Sequence, residues 1–235
     1  MIVVYRRPMD LTEHLMQKVA GSSDCEFTHC ELFLPDSGGT FTIFKGGYLS
    51  KFETLPMMYN TRPELFAWHM IPLNYEEYVR MHLWNTVQIS HRCPYNFRDL
   101  LWQMAPRKLR YSCVNDLAVP IAHNPTRMFC SQAIILALRE ASTGIGSRQM
   151  LKQFVCSSNS RLVSPSDLSC MVTEYLGVDI RNTLVPTTTH EIEQCLRNAV
   201  EFASRRSLMY NSNTIQPTYH YRQWGTPLQS LRREE

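Results

Sequence analysis

Short β-branched and aromatic segments separated by turn residues dominate the first third of the chain. They favour strands, because such side chains suit a pleated surface whereas Gly, Pro and Asp interrupt it. Five segments have this character: 2–6, 27–34, 40–44, 48–54 and 65–71. The glycine pair Gly38 and Gly39 is typical of a tight turn between neighbouring strands. The pattern therefore predicts a small antiparallel sheet.

The first predicted helix has its apolar residues at helical spacing. Asp10 or Thr12 caps its start, and Gly21 ends it. A longer helix is predicted from Tyr75 to about Ile89, entered through Asn74, whose short side chain caps a helix start. The apolar positions of these two helices are Leu11, Leu15, Met16 and Val19 in the first, and Tyr78, Val79, His82, Leu83 and Val87 in the second. A shorter helix over 97–104 ends at Pro106.

The second half of the chain is mainly helical by pattern. A helix over 129–139 carries Ala133, Ile134, Ala137 and Leu138 on one stripe. Another opens with Ser164 as N-cap and Pro165 as first helical residue, and an amphipathic helix covers about 190–204. The polar stretch 211–235 predicts an extended tail.

Length and composition fit one globular unit. The chain has 235 residues, of which 44% are hydrophobic and 19% charged, so one compact domain suffices to bury a core. We predict an α+β domain over 1–207 and a C-terminal tail over 208–235. A net charge of +3, with basic residues spread along the chain, does not indicate nucleic acid as the main partner.

The first residues place their charges after a short apolar run, the reverse of a secretory signal, and no stretch is long and apolar enough for a transmembrane helix. These features predict a cytoplasmic protein. Its eight cysteines are then expected to be reduced. Their spacing with histidine lacks the paired pattern of a closed zinc site, so no metal and no cofactor are expected.

Cys130 and His29 are the candidate chemical groups. A cysteine in the first turn of a helix feels the positive end of the helix dipole, which lowers its pKa. A histidine on a neighbouring strand accepts the thiol proton, and a third polar group orients the imidazole. The alternative for both residues is purely structural, since cysteines at helix starts and histidines in strands are commonly buried packing residues.

Four short motifs occur in a specific order along the chain: Thr28-His29-Cys30-Glu31, Pro94-Tyr95-Asn96-Phe97, Phe129-Cys130-Ser131-Gln132, and Ser164-Pro165-Ser166-Asp167. In this order they resemble the permuted branch of the NlpC/P60 superfamily. That branch includes bacterial YiiX-like proteins, lecithin:retinol acyltransferase-like enzymes and proteins of large DNA viruses. The resemblance spans about residues 26–170.

This resemblance implies a papain-like fold with Cys130 as nucleophile at a helix N-terminus and His29 as general base. Relatives place a third residue on the next strand, where Thr42 is the best match, although a hydroxyl supplies no charge. Glu31 is the other candidate, because a period of two places it on the strand face of His29. The alternative for Glu31, slightly favoured, is a solvated strand charge.

Other polar groups have more modest expected roles. Backbone N–H groups of Cys130 and Ser131 are candidates for an oxyanion hole, because the first amides of a helix lack intrahelical partners. Tyr95 is expected to pack beside the site. Asn96 and Asp99 are further polar candidates, with turn or cap roles favoured for both.

Two function classes follow. The first is a cysteine-dependent hydrolase, a peptidase, amidase or acyl hydrolase, whose substrate is a peptide, an amide or a lipid ester. The second is a catalytically weak or inactive scaffold with a structural or binding role, such as a virion component of a large DNA virus. In that case the protein is located in the host cytoplasm or the virion, and the tail contacts a protein partner.

Overall fold

The structure, a computed structural model, describes residues 1–19, 26–34, 39–43, 49–52, 55–96, 127–157, 163–186, 188, 190–195 and 197–198. The predicted helix over 97–104, the end of the helix over 190–204 and the predicted tail lie outside these residues, as does Asp99. The strands are β1 (Ile2–Arg6), β2 (His29–Leu34), β3 (Gly39–Ile43), β4 (Leu49–Phe52) and β5 (Phe66–Met70). The helices are α1 (Leu11–Val19), α2 (Leu55–Thr61), α3 (Tyr75–Ser90), α4 (Cys130–Ser142), α5 (Gln149–Ser157) and α6 (Pro165–Leu176), and residues 190–195 are also helical.

The strands form one antiparallel sheet in the order β4-β3-β2-β1-β5. This confirms the predicted α+β class with a small antiparallel sheet. The N-terminal strand β1 lies inside the sheet, where Ile2 pairs with Phe33 of β2 on one side and with Met70 of β5 on the other. The backbone of Arg181 continues the ladder on the outer side of β5 through two hydrogen bonds with Trp68.

Both faces of the sheet are covered, so its inner strands are buried along almost their whole length. One core joins Val3, Tyr5, Cys30 and Leu32 to the apolar sides of helices α3 to α6. The opposite core joins Ile2, Val4, Phe33 and Trp68 to Tyr59 of α2 and to Val185 and Ile192. Burial on both faces explains why β1 lacks the alternation of polar and apolar residues that a half-exposed strand shows.

Helix starts agree with the sequence predictions. Asn74 accepts a hydrogen bond from Glu77 N at 2.9 Å, and Glu77 Oε2 accepts from Asn74 N at 3.0 Å, which is a complete capping box. Ser164 forms the same box with Asp167 at the start of α6, with Pro165 as first helical residue. The left-handed conformation of Gly177 (φ 64°) ends that helix.

The apolar positions that predicted α3 do not coincide with its buried face. Leu83 and Val87 are exposed. The buried positions of this helix are Glu77, Met81, Trp84, Asn85 and Gln88. Three of these five are polar, and a pattern of hydrophobic residues cannot mark them. Glu77 is buried because its carboxylate accepts from the backbone N–H and the guanidinium of Arg148, at the start of α5.

Two further differences concern the shorter helices. Leu11 and Leu15 of α1 are exposed although they follow helical spacing. Helices α2 and α5 were not predicted, since both are short and isolated helices of that length depend on tertiary packing. Among the described residues, no helix combines the length and the apolar character needed to cross a bilayer.

Candidate active site

Cys130 is the first residue of α4 and is almost completely buried. The preceding Phe129 is extended and provides no side-chain cap. Two neighbouring segments hold this helix start in place. The Ser131 hydroxyl donates to Val163 O at 2.6 Å, and backbone bonds join Met128 to Pro94 and Asn96.

These contacts bring the four sequence motifs into one region. Tyr95 pairs with Met128 just before the helix and lies close enough to Cys130 for their charges to interact. Ser166 Oγ, in the first turn of α6, accepts from Phe27 N at 2.8 Å, two residues before His29. The segment that begins α6 therefore caps its own helix and fixes the approach to β2, as predicted for a packing role.

His29 is the first residue of β2, and its imidazole lies close enough to the Cys130 thiol for each group to shift the pKa of the other. The ring is buried. Its Nε2 atom lies 3.1 Å from Thr42 Oγ1 and 3.5 Å from Glu31 Oε1. The structure thus brings together all four residues proposed from the sequence, Cys130, His29, Thr42 and Glu31.

Thr42 determines which nitrogen of the neutral ring carries hydrogen. Its hydroxyl donates its single hydrogen to Cys30 O at 3.0 Å. The hydroxyl oxygen can then only accept from His29, so Nε2 is the protonated nitrogen. Nδ1 remains as the acceptor that can receive a thiol proton.

Glu31 is buried, which corrects the expectation of a solvated strand charge. Its Oε2 accepts a hydrogen bond from Tyr59 Oη at 3.0 Å, and Tyr59 belongs to α2 on the same face of the sheet. Burial raises the pKa of Glu31, although His29, Tyr59 and Arg6 oppose that shift. At 3.5 Å, the carboxylate acts on the ring through its charge, whereas Thr42 forms the hydrogen bond.

The electrostatics of the Cys130–His29 pair favour the ionised form. A hydrogen bond from the Cys30 thiol lowers the pKa of Cys130, and the imidazole and the backbone N–H of Cys30 lower it further, so that it falls well below the usual thiol range despite burial. Burial alone would lower the pKa of His29. The Cys130 thiolate and the Glu31 carboxylate outweigh burial, and the net shift is upward. A lowered thiol pKa beside a raised imidazole pKa is the signature of a thiolate–imidazolium pair.

Three contributors were missed by sequence reasoning: Cys30, Tyr59 and Arg6. Arg6 is the partner of His29 across β1 and β2, and its charge opposes protonation of His29 while stabilising ionised Glu31. Of these three residues, only Arg6 could have been found from the sequence, by pairing strands β1 and β2 in register. Tyr59 and Cys30 reach the site because of how α2 and α4 dock on the sheet, which sequence spacing does not encode.

The first turn of α4 can also stabilise developing negative charge. The N–H groups of the first helical residues, among them Cys130 and Ser131, have no acceptor within the helix by geometry, and Phe129 supplies none from its side chain. Such amides and the helix dipole favour an oxyanion next to the sulfur. Asn96 donates a backbone hydrogen bond from its N–H to Met128 O at 2.8 Å, which joins the two segments beside the helix start.

Searches of protein-family models, of curated proteins and of solved structures found no match to this chain. Within the described ranges, no cluster of three or more His, Cys, Asp or Glu side chains could hold a metal ion.

Proposed function

We propose that the protein is a cysteine-dependent hydrolase that acts on an amide or ester carbonyl through an acyl-thioester on Cys130. His29 is the general base, and the scaffold is a permuted NlpC/P60, papain-like fold. The observation that carries the proposal is the proximity of the Cys130 thiol, at the start of a buried helix, to an imidazole whose Nε2–H is engaged by Thr42. The order of the histidine strand before the cysteine helix supports the permuted topology.

Acylation begins from the thiolate–imidazolium pair, in which Nδ1 of His29 already holds the thiol proton. The thiolate attacks the carbonyl carbon, and the π electrons of the carbonyl move to its oxygen, which lies towards the first-turn N–H groups of α4. When the tetrahedral intermediate collapses, the leaving amine or alcohol takes the proton from the imidazolium. The acyl group remains on Cys130 as a thioester.

Deacylation uses the same groups in reverse. His29 removes a proton from a water molecule, the resulting hydroxide attacks the thioester carbonyl, and the Cys130 thiolate leaves as the carboxylic acid is released. An alcohol or amine in place of water would make the reaction an acyl transfer. The dyad does not distinguish these acceptors, so peptide, amide and lipid-ester substrates all belong to the proposal.

Thr42 and Glu31 divide the task of the third residue. Thr42 orients the ring and sets its tautomer, and Glu31 stabilises the imidazolium through charge. Tyr59 in turn holds the carboxylate in place with its hydroxyl. The sequence offered Thr42 and Glu31 as alternatives, and the geometry supports a role for both.

The test is the pH dependence of Cys130 alkylation by iodoacetamide, with the modified residue located by mass spectrometry. In the native protein, alkylation of Cys130 should already be fast well below the ordinary thiol pKa of 9.0, because the thiolate is stabilised by its neighbours. His29→Ala should move the midpoint of this profile upward, since a partner that lowers the thiol pKa is removed. Cys130→Ser should abolish the signal.

Cys156 is exposed and serves as an internal control for accessible thiols. Its alkylation should be unaffected by His29→Ala. If Cys130 reacts only above the ordinary thiol range, or if its profile is the same with and without His29, the hydrolase proposal fails.

The alternative, a catalytically weak scaffold with a structural or binding role, has one observation in its favour. The group hydrogen-bonded to Nε2 is a hydroxyl, and a hydroxyl stabilises an imidazolium less than a carboxylate does. An inert Cys130 in the alkylation experiment would favour this alternative.

A further inference from the structure

Two thiols meet at the site, and the hydrolytic mechanism uses only one of them. Cys30 lies next to His29 in β2, but alternation of side chains turns it to the face on which α4 packs. There both cysteines are buried in the same core, where the start of α4 packs on β2. The two thiols are close enough for each to shift the pKa of the other.

The two thiols differ sharply in character. Burial, together with the nearby Cys130, raises the pKa of Cys30 well above its ordinary value, so this thiol stays protonated at neutral pH. Cys130 is the acidic partner. When a reactive thiolate lies beside a second thiol, its oxidation to a sulfenic acid can be followed by attack of the second sulfur, which forms a disulfide.

We propose that Cys30 and Cys130 form a reversible disulfide when the protein meets a hydroperoxide, and that this bond switches off the thiol chemistry of the site. The Cys130 thiolate attacks the peroxide oxygen and becomes a sulfenic acid, and hydroxide leaves. The first hydroxide takes the proton held by His29 and becomes water. The Cys30 sulfur then attacks the sulfenic sulfur, the S–O bond breaks, and the departing hydroxide takes the Cys30 proton, so that two thiols and one hydrogen peroxide yield one disulfide and two waters. A thiol reductant reverses the reaction.

Among the described cysteines, Cys30 and Cys130 are the pair whose position favours a disulfide. Cys156 and Cys170 are exposed, and Cys195 lies on the opposite side of the sheet, against the core that contains Tyr59 and Trp68. Cys93 is buried, and burial raises its pKa to about 11. Formation of the bond requires the two sulfurs to approach to about 2.05 Å.

The disulfide also protects the nucleophile. A sulfenic acid with no thiol nearby is oxidised further to a sulfinic acid, which a thiol reductant does not reverse. Cys30 is positioned to intercept the sulfenic acid first. The inference rests on the proposed function only through the acidity of Cys130, and it does not depend on the identity of the substrate.

The experiment treats the full chain with stepwise hydrogen peroxide, followed by peptide mapping with and without dithiothreitol, and with iodoacetamide alkylation in parallel. We expect a product lighter by two hydrogens, a cross-linked peptide that joins Cys30 to Cys130, and loss of Cys130 alkylation that dithiothreitol restores. In Cys30→Ala, Cys130 should instead gain two oxygens and should not recover. Cys156→Ala is the matched control and should retain the cross-link.

The outcomes separate this inference from the proposed function. If untreated Cys130 is alkylated at low pH but peroxide converts it to a sulfinic acid while Cys30 stays reduced, the disulfide proposal is overturned and the hydrolase proposal stands. If Cys130 resists both reagents, both are overturned. Because the wild-type map alone decides the first question, the proposal remains testable even if Cys30→Ala does not fold.

Discussion

The Thr42 hydroxyl has one hydrogen, and the acceptor of that hydrogen determines the state of His29. Cys30 O receives it, which obliges the hydroxyl oxygen to accept from Nε2. Two bonds of ordinary length therefore fix the tautomer that a cysteine nucleophile needs. A serine in place of Thr42 could make both bonds, but a valine of the same shape could make neither.

We accordingly expect Thr42→Val to slow Cys130 alkylation at neutral pH by roughly tenfold or more, because an unsatisfied buried donor costs about 1–3 kcal/mol. Thr42→Ser should stay close to wild type. The measurement is the second-order rate of alkylation in the three proteins. An unchanged rate in Thr42→Val would assign orientation of the ring to Glu31 instead.

At this scale the sequence predicted the residues but not all of their environments. Cys130 and His29 were recognisable because a helix start and a strand are local features, and Glu31 because strand periodicity is a fixed two residues. The burial of Glu31 was mispredicted, since it depends on Tyr59, twenty-eight residues further along the chain and in a helix that the pattern did not reveal.

The helices likewise show that contacts between residues close in sequence can be predicted, whereas contacts between distant residues cannot. The N-caps Asn74 and Ser164 were predicted because a capping residue lies directly before its helix in the sequence. The buried face of α3 could not be read from the apolar pattern, because the ion pair that buries Glu77 joins it to Arg148, 71 positions away. Charged residues are assigned to the surface unless such a distant partner is known.

The cap of α3 gives a prediction at the scale of the element. Asn74→Ala removes the acceptor for Glu77 N and also the donor to Gly146 O, at 3.0 Å. We expect the free energy of unfolding to fall by about 1 kcal/mol, the usual effect of losing a polar N-cap. Urea denaturation measures this change.

Asn60→Ala is the matched control, because Asn60 is exposed inside α2 rather than at a helix start. Its effect should stay within about 0.5 kcal/mol. The alkylation profile of Cys130 should be unchanged in both variants, because neither side chain contacts the site. Equal destabilisation by the two substitutions would show that the capping box of Asn74 contributes little.

For the whole molecule, the sheet order depends on pairings that no short pattern reveals. The five strand positions were largely predicted, but the insertion of β1 between β2 and β5 joins residue 2 to residues 33 and 70. That insertion places Arg6 across from His29 and gives the sheet two buried faces. A buried carboxylate on such a sheet affects the stability of the entire fold.

Glu31 therefore makes stability depend on pH. Its folded-state pKa is raised above the ordinary value of 4.5, so the ionised form is disfavoured in the folded protein. Its contribution to stability is fully present below that value and is lost as the pH rises through the folded-state pKa. Glu31→Gln, which can still accept from Tyr59, removes this loss.

We expect Glu31→Gln to increase stability relative to wild type more at neutral pH than near pH 4.5, because the buried wild-type carboxylate has to ionise at the higher pH. Urea denaturation at both pH values gives the comparison. Glu64→Gln alters an exposed carboxylate and is the control, with no such difference expected. A stability difference for Glu31→Gln that is constant with pH would refute the assignment.

The residues of the site come from widely separated parts of the chain: His29 begins β2, Thr42 lies inside β3, and Cys130 begins α4. The acidic thiol of Cys130 therefore exists only while β2, β3 and α4 are docked together. In an unfolded chain the same sulfur is an ordinary thiol. Its alkylation rate at mildly acidic pH therefore distinguishes folded from unfolded chains, so iodoacetamide labelling of Cys130 can follow the unfolding of the protein.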